Sequence, residues 1–186
     1  LENYEAASAA LNASVELVKN FVDGQNTYGD ALIKLSKVQA AAGNTDEAIA
    51  TVRRAQEVLG AIDNRDLLGD AYDHEAYVYL MLNRENDAAG AYRKAADLFE
   101  QDGNSLKEAL MKSVYLYGKV AHHFAEAESL LYLARVEAYD KEHGDFDRAK
   151  AHYKRSIELF GFLGNDDMKK AVLDEYYNFL NRIMAN

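Results

Sequence analysis

Between residues 144 and 163 apolar side chains return at every third or fourth position: Phe146, Ala149, Tyr153, Ile157 and Phe160 form one stripe, with charged residues between them. That recurrence is the mark of an amphipathic helix. Gly144 ends the helix before it, and Asp145 is placed to accept the orphan amide hydrogens of the next first turn, so the spacing predicts a helix over 145–162. The same residue types recur at the start of the chain, where Tyr4, Ala7, Leu11, Ser14, Val15 and Leu17 stand in register with Phe146, Ala149, Tyr153, Ser156, Ile157 and Leu159. The pattern is therefore repeated, not merely amphipathic.

Further copies carry Ala48, Val52 and Ala55, then Ala88, Tyr92 and Ala95, and more faintly Phe124, Ala127, Leu131 and Ala134. The leading alanines fall at 7, 48, 88 and 127, in steps of 41, 40 and 39 residues, a period expected of a helical repeat array. Between the copies lie second helices of another pattern, predicted over Tyr28 to Ala42, Asn64 to Leu82 and Ser105 to Ala121, the last opening with a capping box from Ser105 to Glu108. Each repeat is then a helical hairpin. The small residues, Ala149 and Ser156 among them, let two helix axes come within roughly 8–10 Å, and the aromatic side chains beside them fill the groove.

Leu32, Leu35, Ser36, Gln39, Gly43, Ala48, Val52 and Ala55 stand at the spacings of the tetratricopeptide repeat, which the chain resembles over most of its length. Tyr72, Ala76, Tyr79, Asn83, Ala88, Tyr92 and Ala95 fit a second unit in the same way. The chain departs from the family in having no tryptophan and no proline, in a repeat near forty residues, and in Glu75, which occupies a position where a large apolar residue is expected. The resemblance implies an all-α fold: antiparallel hairpins stacked as a right-handed solenoid of about nine helices, forming a single repeat domain over 1–186 with a capping helix over 165–186.

Two registers compete in the last third. In one, 124–142 is the second helix of a third unit and two terminal helices follow; in the other it is a lengthened first helix that pairs with 145–162, leaving 105–121 as an unpaired addition. The local fit of 145–162 favours the second. At the other end, the chain opens with what resembles the second helix of a unit, the expectation being a piece of a longer array or a chain trimmed upstream.

Composition supports the helical reading and narrows the function. About half of the 186 residues are apolar, enough to bury a real core, and the absence of proline favours uninterrupted helices. The formal net charge of −10 is the wrong sign for a surface that neutralises nucleic-acid phosphates or anionic lipid, so neither nucleic acid nor a membrane is an expected partner. With no cysteine there is no disulfide, thiolate nucleophile or zinc–thiolate site, a fact that leaves the compartment open, with the cytoplasm slightly favoured.

Chemistry-bearing constellations are missing. The five histidines include adjacent His122 and His123, which point to different sides of a helix, and the separated His74, His143 and His152; none forms the i, i+4 pair of a helical zinc site. The acidic stretches at 63–70 and 145–147 lack the spacing of a calcium loop, and there is no phosphate loop or nucleophile elbow. The expectation is a non-enzyme without cofactor or metal. The sequon at Asn12 falls within a predicted helix and matters only in a secreted chain. Most of the thirteen tyrosines, including Tyr72, Tyr92, Tyr153 and Tyr176, fall on inward stripes, whereas Tyr77 is the one expected to bind.

The family resemblance implies a groove lined by first helices that holds a segment of another protein. Carried over position by position, the groove residues are Ile33, Lys37 and Ala41, then Asp70, Asp73, Tyr77 and Met81, and in a third unit Lys112, Leu116 and Lys119. Apolar anchors beside charges of both signs suit an amphipathic peptide, and the chain's acidity suits a basic one. The clamp by which one branch of the family grips a C-terminal carboxylate is not expected, since Ile33, Lys37, His74 and Lys112 stand at its positions with no asparagine among them. The alternative is a self-assembling scaffold using the open N-terminal end and the C-terminal helix.

Overall fold

A computed structural model of the chain describes residues 2–18, 24–99, 103–139 and 144–185. Among these, nine helices and no strands are found: α1 Glu2–Val18, α2 Gln25–Ala41, α3 Thr45–Ala61, α4 Arg65–Met81, α5 Glu85–Leu98, α6 Gly103–Lys119, α7 His123–Tyr139, α8 Phe146–Phe162 and α9 Asp166–Met184. Each falls within a few residues of its predicted place. Ser105 lies inside the first turn of α6 and not at its cap, because Gly103 and Asn104 already belong to the helix. His143 lies outside the described residues.

The helices gather into two compact units, residues 1–100 and 101–186. In the first, α2 pairs with α3 and α4 with α5, α3 packs against α4, and α1 against α2. Its core holds Val15, Tyr28, Leu32, Ile33, Leu35, Val52, Ala55 and Leu59. Two helical glycines permit the tightest approaches in these hairpins: a Cβ on Gly29 would fall 2.4 Å from Leu59 Cδ2, and one on Gly69 would fall 2.5 Å from Phe99 Cε1. Both distances are far inside van der Waals contact.

In the second unit the tight hairpin is α7 with α8, and this decides between the two registers in favour of the second. Ser156 Oγ on α8 donates to the Ala127 carbonyl on α7 at 2.8 Å. Ala127 is thus on the first helix of its hairpin, and the counterpart of Ala48 and Ala88 is Ala149, buried on α8. The additional helix α6 is not a loose appendage, for it packs on α7. Val172, Tyr176 and Phe179 of α9 complete the core with Tyr153 and Phe160 of α8.

The turns repeat as regularly as the helices. Gly43, Asp63, Asn83, Ala121 and Gly164 each take a positive φ just after a helix. In each case the next amide reaches back five residues: Asn44 to Gln39, Asn64 to Leu59, Arg84 to Tyr79, His122 to Tyr117 and Asn165 to Phe160, all between 2.9 and 3.0 Å. These are left-handed C-terminal caps that satisfy orphan carbonyls while reversing the chain. The helix that follows starts on an asparagine side-chain cap at Asn64 and Asn165, and α8 starts on the side chain of Asp145.

Candidate functional site

The face shared by the first helices of unit 1 begins with a polar tie. Asn64, capping α4 through its Oδ1 to the Leu67 amide at 3.1 Å, donates its Nδ2 to Asn26 Oδ1 at 2.7 Å and so fixes the start of α4 beside the start of α2. Deeper in, Ser36 Oγ donates to the Ala48 carbonyl at 2.7 Å, leaving the hydroxyl oxygen to accept from His74 Nε2 at 3.0 Å. That geometry assigns the Nε2–H tautomer. Three helices are joined by one hydroxyl. His74 is buried, and burial first, then the charge of Lys37, lowers its pKa from the ordinary imidazole value, keeping it neutral.

Over this base stand the predicted groove residues. Tyr77 stacks on the His74 ring with centroids 6.0 Å apart and is 52% exposed; Met81, one turn further along α4, is 43% exposed. Lys37, Asp70 and Asp73 sit close enough that their charges act on one another: Asp70 has its pKa raised by desolvation first, lowered in part by Lys37, and raised again by Asp73, Asp66 and Asp30. Asp30 itself holds Lys34 in an ion pair one turn along α2. The result is a largely acidic face with an exposed aromatic and a thioether.

Two predicted positions are not available to a ligand. Ile33, at 3% exposure, belongs to the unit 1 core, because α2 buries Leu32 and Ile33 together between its neighbours. Leu116, at 5%, is likewise buried on α6. In unit 2, Lys112 pairs with Glu108 at 3.0 Å and is half-buried, Lys119 is exposed, and Ala41 in unit 1 is exposed.

Sequence reasoning missed the buried polar groups. Glu75 is only 5% exposed, yet its carboxylate accepts from Arg53 Nε at 3.0 Å, Gln56 Nε2 at 3.0 Å and the Tyr79 hydroxyl at 3.1 Å. The departure from the family pattern is thus a satisfied buried network. Unit 2 has its own. His152 Nδ1 lies 2.7 Å from the buried Glu137, and Glu175 on α9 receives a two-pronged bond from Arg135 at 2.9 and 2.7 Å and another from the Tyr153 hydroxyl at 2.8 Å. The Arg135 bonds are the main reason that the Glu175 carboxyl lies below its ordinary pKa, and burial then pushes the Tyr153 phenol well above its own. Among the described residues no group of three or more His, Cys, Asp or Glu could hold a metal ion, and no helix is long and apolar enough to cross a membrane.

No protein-family model matches the chain. It is similar to the human alpha-soluble NSF attachment protein, 27% identical over 172 residues, covering 91% of this chain and 54% of that protein. The mouse protein of the same name is 26% identical over 130 residues, covering 69% and 43% respectively. The chain therefore spans about half the length of the curated relatives that it matches. Among solved structures, BtubC (BKLC) from P. vanneervenii superposes with a TM-score of 0.60 at 10% identity, covering 99% of this chain and 76% of that one. A kinesin light chain protein of Podospora anserina with TPR-like repeats gives 0.58 at 10% identity, covering 98% and 90%. The tetratricopeptide-sensor ATPase of Pyrococcus horikoshii gives 0.60 at 18% identity, covering 95% of this chain but 27% of its own. The hairpin packing and these likenesses together make the chain an all-α protein of the tetratricopeptide-like helical-repeat fold.

Proposed function

We propose that the chain is a non-catalytic protein-interaction module, and that the first-helix face of unit 1 binds an amphipathic, basic segment of a partner protein. The observation that carries this reading is the pairing of exposed Tyr77 and Met81 on α4 with the acidic neighbourhood of Asp30, Asp66, Asp70 and Asp73. An exposed aromatic set on a buried, hydrogen-bonded imidazole is a pre-ordered anchor, and ordering it on binding costs little. The carboxylates select the sign of the partner and hasten its arrival. The fold supports an interaction or scaffold role, and the relatives are named as attachment proteins. The reading rests on Lys37, Asp70, Asp73, Tyr77 and Met81 and leaves out the buried Ile33 and Leu116.

A pull-down with the chain as bait, followed by titration of the captured segment, tests the assignment. Tyr77→Ala weakens binding by about tenfold or more, and Lys37→Glu strengthens the capture of a basic segment. Unchanged affinity in both variants removes the groove from consideration. A second reading, self-assembly through α1 and α9, draws on exposed Leu17 on the first and exposed Tyr177 and Met184 on the second. Light scattering separates the two, since a monomer at every accessible concentration argues against assembly.

A further inference from the structure

Counted back ten and six residues from the left-handed residue of the turn that follows, α3 carries Arg53 and Glu57, and α8 carries Lys154 and Glu158. At the equivalent places beyond its leading alanine, α5 carries Arg93 and Asp97, an ion pair at 3.5 Å. These helices thus set a basic and an acidic residue one turn apart on the outer side, an arrangement that supports a solvated helix. The helix α6, which ends in a turn of the same kind at Ala121, breaks the rule. Its residues at these places are Met111 and Tyr115, 51% and 68% exposed on the side away from the buried Leu106, Leu110 and Ser113. Gly118 continues their stripe and is exposed as well, so the helix presents bare backbone beside the tyrosine.

Basic residues surround this stripe. Together α6 and α8 carry seven lysines and arginines against three acidic residues, in a chain whose formal net charge is −10. Lys107 lies one turn before Met111, Lys112 is next to it in sequence, and Lys119 lies one turn beyond Tyr115. The one acid of α6, Glu108, pairs with Lys112 at 3.0 Å on the surface, where such pairs are weak. At the far end the guanidinium of Arg155 approaches from α8. Glu126 of α7 fixes its position, since the Glu126 carboxyl carbon lies 3.5 Å from where a Cβ on Gly118 would stand and its Oε1 lies 3.8 Å from Arg155 Nη2. Glu126 is buried and Arg155 half exposed, so the charge turned outward is the positive one. Lys112 and Lys119 are among the positions that the family resemblance implies for a groove, and here they flank an exposed apolar pair instead.

Apolar anchors ringed by cations fit an acidic amphipathic segment, whose apolar side chains cover Met111 and Tyr115 while its carboxylates meet the lysines. Methionine adapts to the incoming group, and tyrosine offers a large contact area at low entropic cost. A basic segment is repelled here by like charge. We propose that the exposed face of α6, with Arg155 of α8 at its end, docks an acidic amphipathic segment of a partner protein. This surface shares no residue with the Tyr77 face and stands whether or not that face binds.

The test is titration of the ¹⁵N-labelled chain with two synthetic peptides of equal length that share one leucine stripe at helical spacing and carry either glutamate or lysine at the remaining positions. The glutamate peptide is expected to shift the backbone amides of Met111, Tyr115 and Gly118 in a saturable way, and the lysine peptide to leave them in place. Met111→Arg combined with Tyr115→Glu gives α6 the outer pair of α3, so the melting temperature does not fall while affinity drops by about tenfold or more. Lys112→Glu combined with Lys119→Glu keeps the apolar pair and weakens the glutamate peptide by about tenfold, with a shallower dependence on salt. Vesicles containing phosphatidylserine are the third titrant, because an anionic lipid surface also meets cations around an apolar pair. Loss of the same signals on vesicles, without a saturable response to the glutamate peptide, assigns the face to a membrane and overturns the proposal. It is overturned equally if no titrant moves these amides, if the lysine peptide shifts them as strongly, or if either double variant binds as the original chain does. The amides of Tyr77 and Met81 report on the unit 1 face in the same spectra, so the two readings succeed or fail separately.

Discussion

The carboxylate of Glu75 on α4 accepts a hydrogen bond from Arg53 Nε on α3 at 3.0 Å, across the seam between the two hairpins of unit 1. Arg53 also donates to the Tyr79 hydroxyl at 2.6 Å, so both long side chains are held in one arrangement. The arginine is about half exposed while the glutamate is buried, which places the desolvation cost mostly on the acid. Glu75→Ala takes away the acceptor of the Tyr79 hydroxyl, which keeps only the bond it receives from Arg53, and opens a cavity, and a loss of about 2–3 kcal/mol is expected in urea unfolding. Glu75→Leu restores the apolar residue of the repeat pattern and costs less than about 1 kcal/mol, since the exposed end of Arg53 can return to water.

Gly69→Ala brings a methyl into the Phe99 ring, which is buried at the end of α5. Overpacking of this kind costs about 1–3 kcal/mol, more than the gain in helix propensity returns. Gly60 provides the contrast, since a Cβ there meets only Leu68 at 4.0 Å. Gly60→Ala stabilises by about 0.5–1 kcal/mol. Thermal melts of the two variants should move in opposite directions.

Ala121 holds φ at 56°, the left-handed conformation that glycine takes at Gly43 and Gly164 in equivalent turns. An alanine there carries a steric cost of roughly 1 kcal/mol or more that glycine avoids. Because glycine also loses more freedom on folding, Ala121→Gly is expected to stabilise by about 0.5–1 kcal/mol net, read as a shift of the urea midpoint at constant slope.

His74 gives unit 1 a dependence on acid. Its folded pKa lies below the ordinary value of 6.5, chiefly through burial, so above that pH both folded and unfolded forms are neutral and the contribution is fully present. As the pH falls from 6.5 towards the folded pKa the unfolded chain takes up a proton that the folded one refuses, and stability drops by at most about 1.4 kcal/mol per pH unit. Comparing His74→Gln with the original chain between neutral pH and the folded pKa should show the original losing stability relative to the variant. Parallel curves would count against a neutral, buried His74.

Much of this arrangement could be read from residue order. Leu32, Ser36, Ala48, Val52, Ala88 and Ala95 are predicted inward and are wholly or almost wholly buried, as are Tyr92, Tyr153 and Tyr176. Asp145 caps α8 through the Asp147 and Arg148 amides as its position implies. The candidate face was legible only in part. Tyr77 and Met81 stand exposed on the helix chosen for them, but Ile33 and Leu116 are core residues, because a family position says which way a helix turns and not how closely the next helix covers it.

By itself, the sequence determined where helices start, stop and turn, and which stripe of each is apolar, because those features depend on neighbours within four or five positions. Only the tertiary structure decided that α7 pairs with α8, that Glu75 and His74 are buried with partners, and that Gly29 and Gly69 are contact points. Those outcomes depend on residues 22 to 38 positions away for the two buried groups, and on which of two locally equivalent pairings excludes water more completely. A periodic pattern is common to both pairings and cannot choose between them.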